Sequence, residues 1–111
     1  MKLPNGDRAV VPIHKLRDYC LNPAHPRGRN KARVFAAALG LRQDDAQTLR
    51  QRILQAAREG DARPLEPIVH GERFALDFPM TGPRGAAMVR SLWIVLVGED
   101  FPRLYSCYVL R

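Results

Sequence analysis

The chain has 111 residues, 46% of them hydrophobic, and a formal net charge of +7 at pH 7. We expect one folded domain, residues 1–111, and not a disordered chain. No apolar run is longer than that from Leu92 to Val97, which is far shorter than a membrane-spanning helix of about 20 residues. The first residues contain no apolar signal core, so we expect a cytoplasmic protein with no membrane partner.

Side chains that bind metals or form disulfides are few and scattered. Two cysteines, Cys20 and Cys107, are too few for a disulfide framework, and both lie in apolar sequence, which predicts small buried thiols. The three histidines share no ligand spacing, and the acidic residues form no cluster. Glycine-rich nucleotide-binding loops are also absent. We therefore expect no metal and no cofactor.

The positive charge is concentrated in the first part of the chain. Residues 1–42 hold nine Lys/Arg and two Asp, whereas residues 43–111 hold nine residues of each sign. Residues 23–42 contain no acid at all. Such a block favours a polyanionic partner, which is a nucleic acid, a phosphate or an acidic protein. The alternative is a basic face that is only solvated.

The first half, about residues 12–60, is predicted to be helical after a short strand at residues 9–11. Apolar residues at helical spacing predict a short helix after Pro12, a second over about 30–39 and a longer third over about 45–59.

The loop between the first two helices holds His25 between two prolines, which stiffen the backbone. His25 is therefore either a rigid group that meets a substrate or a residue that hydrogen-bonds its own loop. Arg27, Arg29 and Lys31 crowd the start of the next helix. Cations there oppose the helix dipole unless an anion binds between them.

The second half is predicted to be a sheet, about residues 67–110. Alternating apolar and polar residues predict strands over 72–78, 88–97 and 103–110, and a short strand is possible over 67–70. Short turns join them into an antiparallel meander. The fold class is therefore α+β, with two to three N-terminal helices packed on one face of a C-terminal antiparallel sheet of three to four strands.

The other face of this sheet is expected to be partly open. Arg90 and either Ser106 or Tyr108 are the polar residues predicted to reach it. If the histidine loop folds over that face, His25 and Lys31 would meet Arg90 and a hydroxyl group around one pocket.

Four segments of the chain carry a family resemblance. Residues 21–35 contain the pattern LNPxHPxGxxKAxxF, residues 77–85 are DFPMTGPRG, and VRSLWI at 89–94 precedes PRLYSCY at 102–108. These segments resemble a family of small bacterial proteins of uncharacterised activity. The order of helices and sheet is similar to a class of metal-free ribonucleases that includes barnase and the EndoU-like, colicin-type and RelE-like toxins.

The resemblance implies a ribonuclease toxin of a toxin-antitoxin or toxin-immunity system, acting on RNA such as tRNA or ribosome-bound RNA. A small acidic antitoxin or immunity protein would neutralise it. The resemblance also implies that Ser106, on the last strand, belongs to the site. Such enzymes use the ribose 2′-hydroxyl as nucleophile, so they need proton transfer and cations in place of a metal.

On this hypothesis each candidate catalytic residue has a role. His25 acts as base or acid. Lys31 and Arg90 hold the phosphate, and Arg90 can do so with two hydrogen bonds. Ser106 or Tyr108 donates a hydrogen bond to the same phosphate.

Other residues are predicted to bind RNA. Trp93 either stacks on a base or fills the core, and Thr81 either lines the site or belongs to a hairpin turn. The remaining predicted RNA contacts are the cations of the basic block, Arg27, Arg29 and Arg33. The alternative function is a non-catalytic module that uses this block to bind nucleic acid or an acidic partner protein.

Overall fold

The first half of the chain, with apolar residues at helical spacing, forms a layer of helices, and the second half, with alternating apolar residues, forms a sheet. The computed structural model describes residues 1–110 and has three helices on one side of a four-stranded antiparallel sheet, which confirms the predicted α+β fold. The elements in chain order are α1 (Ile13–Lys15), α2 (Arg29–Leu39), α3 (Ala46–Glu59), β1 (Ala62–Ile68), β2 (Gly71–Gly82), β3 (Gly85–Leu96) and β4 (Arg103–Val109).

The sheet has the strand order β1-β2-β3-β4, so every strand pairs with its neighbour in the sequence. Phe74 of β2 lies opposite Trp93 of β3, and Leu76 lies opposite Ser91. All four side chains are buried. They therefore form the sheet face that packs against the helices.

The two long helices each bury one apolar stripe against this face. Phe35 of α2 and Leu49 of α3 are fully buried and belong to one hydrophobic core with the strand residues. Burying a side chain of this size contributes about 1.5–3 kcal/mol. Gly40 ends α2 with a φ of 74°, a left-handed conformation that glycine adopts without strain.

A π-helical turn, Leu16–Cys20, continues α1. The Leu21 N–H donates to the Leu16 carbonyl, five residues back, with a nitrogen–oxygen distance of 2.8 Å. The predicted helix is therefore present, but its second turn is wider than an α-helical turn. Leu16 and Cys20 remain buried, and Tyr19 lies half-buried beside α2.

The sheet differs from the prediction at two places. The predicted first strand is reduced to a single parallel bridge between Val10 and Arg103. In contrast, β1 begins at Ala62, five residues earlier than expected, although it contains Pro64 and Pro67. Prolines are tolerated here because β1 is an edge strand, where a missing N–H can face solvent.

The two thiols lie in the core between the layers. Cys20 on the π-helical turn and Cys107 on β4 are both 0% exposed, which confirms the prediction of buried cysteines. A hydrogen bond with Cys20, together with burial, raises the pKa of the Cys107 thiol. Both side chains therefore act as small packing groups at the contact between helix and sheet.

The buried Ser91 hydroxyl generates a stability prediction. It donates to the Leu76 carbonyl at 2.7 Å and accepts the Trp93 indole N–H at 2.9 Å. We expect Ser91→Ala to lower the free energy of unfolding by about 1–3 kcal/mol, because the buried indole N–H loses its acceptor. Urea denaturation measures this. Ser106→Ala, on the opposite face, is the control, with an expected change within about 0.5 kcal/mol. Equal effects of the two substitutions would contradict the assigned role.

Candidate functional site

The proline-braced loop places the His25 imidazole at the start of α2. Its Nδ1 atom accepts the backbone N–H groups of Arg27 and Gly28, both at 3.0 Å. These bonds match the predicted alternative in which the histidine bonds its own loop. Because Nδ1 is an acceptor, the neutral ring carries its proton on Nε2. The free edge of His25 is therefore a hydrogen-bond donor.

A close backbone contact holds this loop against the π-helical turn. A Cβ atom on Gly28 would lie 2.1 Å from the Tyr19 carbonyl oxygen, so no larger residue fits without movement of the backbone. Gly28 therefore fixes the distance between the histidine loop and the turn that carries Tyr19.

Tyr19 links the two predicted catalytic residues of the helical layer. Its ring meets the His25 ring edge to face, with centroids 4.9 Å apart and an interplanar angle of 82°. The Lys31 ammonium donates to the Tyr19 hydroxyl at 2.8 Å and lies 4.8 Å from the ring centroid. His25, Tyr19 and Lys31 form what we call the Tyr19 cluster. The sequence predicted His25 and Lys31 but gave no signal for Tyr19, which is distant from Lys31 along the chain.

A second basic feature lies on the neighbouring face of α2. A cavity of about 470 Å³, which we call the arginine cleft, separates α2 from residues 41–44. Among the described residues 1–110, its three arginines have no carboxylate within 4.0 Å. Its main lining residues are Arg29, Ala32, Arg33, Ala36, Leu41 and Arg42. The sequence predicted Arg29 and Arg33; Arg42 was missed, although the acid-free block extends to it.

Arg90 lies in a polar row across the open face of the sheet. Its Nε and Nη2 atoms donate to the two carboxylate oxygens of Asp77 at 2.8 and 2.9 Å. Arg63 lies 3.6 Å from the same carboxylate, and Tyr108 is the partner of Arg90 on β4. The hydrogen bonds from Arg90 lower the pKa of Asp77. The charge of Arg90 is therefore balanced by Asp77.

The structure does not bring the four predicted catalytic residues together. Arg90 and Ser106 lie on the open face, because neighbouring residues of β3 and β4 point toward the helices. His25 and Lys31 lie in the helical layer, in contact with Tyr19. The predicted pocket that combines a histidine with Arg90 is wrong for this physical reason: the sheet separates the two groups.

Two residues with alternative roles are placed by their burial. Trp93 is 0% exposed, with its indole N–H bonded to Ser91, so it fills the core and has no face free for a base. The stacking role predicted for Trp93 is therefore wrong. Thr81 is exposed near the end of β2, opposite Ala86, and belongs to the β2–β3 hairpin.

These features define a class, a small α+β protein whose helical layer carries a cation-rich face. The chain belongs to the family described as a domain of unknown function (DUF6883), which matches residues 2–111. No curated protein matches the chain. Within residues 1–110, no helix has the length and apolar character needed to cross a membrane. The same residues contain no group of three or more His, Cys, Asp or Glu side chains placed to hold a metal ion.

The two hydrogen bonds that His25 accepts from its own loop predict different effects for two substitutions. His25→Ala removes the acceptor of two backbone N–H groups and is expected to cost about 1 kcal/mol of folding free energy. His25→Asn keeps an acceptor at the same position, since Oδ1 is attached to Cγ as Nδ1 is, and is expected to retain most of that stability. Thermal unfolding followed by circular dichroism tests both. If the two variants unfold alike, the imidazole does not hold the loop.

The Asp77–Arg90 pair predicts a pH-dependent stability. Asp77 has a lowered pKa in the folded state, so its contribution is present above its usual pKa of about 3.9 and is lost as the pH falls through the lowered value. We expect the unfolding free energy of the wild type to fall below pH 4 more steeply than that of Asp77→Asn.

Urea denaturation at several pH values measures both curves. Arg90→Gln is the matched variant, because removal of the cation should flatten the acid limb in the same way. Parallel curves for all three proteins would show that the pair does not control acid stability.

Proposed function

We propose that the protein is a metal-independent endoribonuclease toxin whose reaction centre is the Tyr19 cluster. One observation carries this proposal: an imidazole fixed through its Nδ1 atom packs edge to face against a tyrosine that binds the Lys31 ammonium. These groups lie at the start of a helix whose first turn contains no acid. They supply a hydrogen-bond donor and a cation, which stabilise the charge that develops when RNA is cleaved without a metal.

The proposed reaction uses the nucleophile of the RNA itself. The 2′-hydroxyl oxygen attacks the adjacent phosphorus, the bond from phosphorus to the 5′-oxygen breaks, and a 2′,3′-cyclic phosphate forms. The Nε2–H of the neutral His25 ring donates a hydrogen bond to the leaving 5′-oxygen, which takes its proton from solvent, and the 2′-hydroxyl proton passes to solvent. Lys31 offsets the negative charge that develops on the phosphate, and the Tyr19 hydroxyl donates a hydrogen bond to a phosphate oxygen.

The exposed arginines around the cluster are the proposed phosphate contacts. Arg27, Arg29 and Arg33 are all exposed, and none forms an ion pair with an acid among residues 1–110. Each is expected to add salt-sensitive affinity without base specificity. We leave Arg90 out of the reaction centre, because Asp77 already balances its charge.

The proposed setting is the cytoplasm, where RNA is the substrate and a small acidic antitoxin is the partner. The charge distribution supports an acidic partner. An acidic protein that covers the helical layer would meet the excess positive charge of residues 1–42 and would block access to RNA.

A second candidate is a non-catalytic module that binds nucleic acid through the same basic face. The capping role of His25 favours it, because the two backbone hydrogen bonds give the imidazole a purely structural purpose. This candidate predicts salt-sensitive binding that is spread over the arginines, with no RNA product.

RNA cleavage in EDTA tests the two candidates. We expect the wild type to cleave cellular RNA, including RNA in a translating cell extract, and to leave 2′,3′-cyclic phosphate ends. His25→Asn keeps the loop acceptor but lacks Nε2–H, so we expect a loss of about 100- to 1,000-fold from the missing hydrogen bond to the transition state. Lys31→Gln is also expected to lose activity, because it removes the cation that offsets the negative charge on the phosphate. Arg58→Gln, which removes an exposed cation at the end of α3, is the control.

Growth of cells that express each variant gives the same ranking in vivo. Arrest by the wild type and Arg58→Gln, but not by His25→Asn, is the expected pattern. Intact RNA in the cleavage assay and normal growth of cells that express the wild type, combined with salt-sensitive RNA binding, would exclude the enzyme and support the binding module.

A further inference from the structure

The arginine cleft combines one face of α2 with a separate wall. Arg29, Ala32, Arg33 and Ala36 follow each other at spacings of three and four residues, so they share one face of the helix. Residues 42–44 form the facing wall. The cavity volume of about 470 Å³ lies within the range of about 300–1,000 Å³ that is usual for small-molecule sites.

The lining divides into an apolar floor and a cationic rim. The floor is made by two alanines and a leucine, and the rim by guanidinium groups from both walls. A base or another flat group fits the apolar floor, and phosphate oxygens fit the cationic rim. Asp44 is the one acid that lines the cleft, and it disfavours an occupant that is charged throughout.

The rim cations repel each other unless an anion binds between them. Arg29 and Arg33 are one helical turn apart, which is unfavourable for like charges, and Arg42 adds a third cation from the facing wall. Within the described part of the chain, no acid lies within ion-pair distance of these side chains. A phosphate bound between these side chains would remove that repulsion.

The cleft is joined to the Tyr19 cluster through the backbone. The Arg29 N–H donates to the His25 carbonyl at 2.9 Å, while the Arg29 side chain lines the cleft. Pro23, two residues before His25, also lines the cleft, so a bound nucleotide would border the histidine loop.

We propose that the arginine cleft binds one unpaired nucleotide of single-stranded RNA, with the base on the apolar floor and the phosphate on the arginine rim. A base can enter such a cavity only when it is unstacked, so single strands are bound in preference to duplexes. The inference deepens the proposed function by naming its substrate class, but binding in the cleft does not require cleavage.

The test uses a short, fluorescently labelled 2′-O-methyl oligoribonucleotide, which lacks the nucleophile and stays intact. Fluorescence anisotropy compares this strand with the duplex that it forms with its complement. Ala36→Leu fills the floor without a change of charge and keeps a good helix former. Arg42→Gln removes the far cation at an exposed position. Arg58→Gln is the matched control, an exposed cation outside the cleft.

We expect the wild type to bind the single strand at least about tenfold more tightly than the duplex, a difference of about 1.4 kcal/mol, because only an unstacked base enters the cleft. Ala36→Leu and Arg42→Gln should each lose most of this preference, whereas Arg58→Gln should weaken both ligands equally and slightly. Circular dichroism confirms that each variant is folded. Equal binding of the two ligands by the wild type would overturn the inference, as would wild-type behaviour of both cleft variants.

The cleavage assay separates this inference from the proposed function. If cleavage depends on His25 but is unaffected by Ala36→Leu, the cleft inference is wrong and the proposed enzyme function stands. If the wild type leaves RNA intact but prefers the single strand, and Ala36→Leu abolishes that preference, the proposed enzyme function is wrong and the cleft inference stands.

Discussion

The candidate site depends on the contact between Gly28 and the Tyr19 carbonyl, where there is no space for a side chain. This contact fixes the histidine loop to the π-helical turn, and the imidazole then bonds the two backbone N–H groups before α2. The helix therefore begins at a defined position, with Lys31 beside Tyr19. Local backbone packing thus sets the geometry of the whole cation-rich face, and the long-range fold only supports it.

The fold was largely predictable because its two periodicities are strong. Alternation on β2 and β3 identified the strands and the two faces, and the stripe with Phe35 identified α2. The errors occur where the pattern is ambiguous. Pro64 argues against a strand unless the strand is known to be at an edge, which only the tertiary structure shows. Apolar residues recur at nearly the same spacing in a π-helical turn and in an α-helix, so the spacing of Leu16 and Cys20 does not distinguish the two.

The site was less predictable, because its residues meet across turns that the sequence does not describe. The basic block indicated the correct segment, and His25 and Lys31 do share a neighbour. Their expected partner Arg90 lies on the other side of the sheet. The prediction missed this because alternation of apolar and polar residues shows which residues share a face, but not which face a loop covers. Arg90 also has its own carboxylate, Asp77, and that cross-strand pairing follows from the strand register, which the sequence did not specify.

The two buried thiols give the protein an internal reporter of its own opening. Cys20 belongs to the π-helical turn and Cys107 to β4, and neither is exposed. A thiol reagent therefore reaches them only when the helical layer lifts from the sheet, so the rate of modification reports how often the layers separate. An RNA or protein ligand that clamps the histidine loop against the turn would slow that labelling, without touching either sulfur atom.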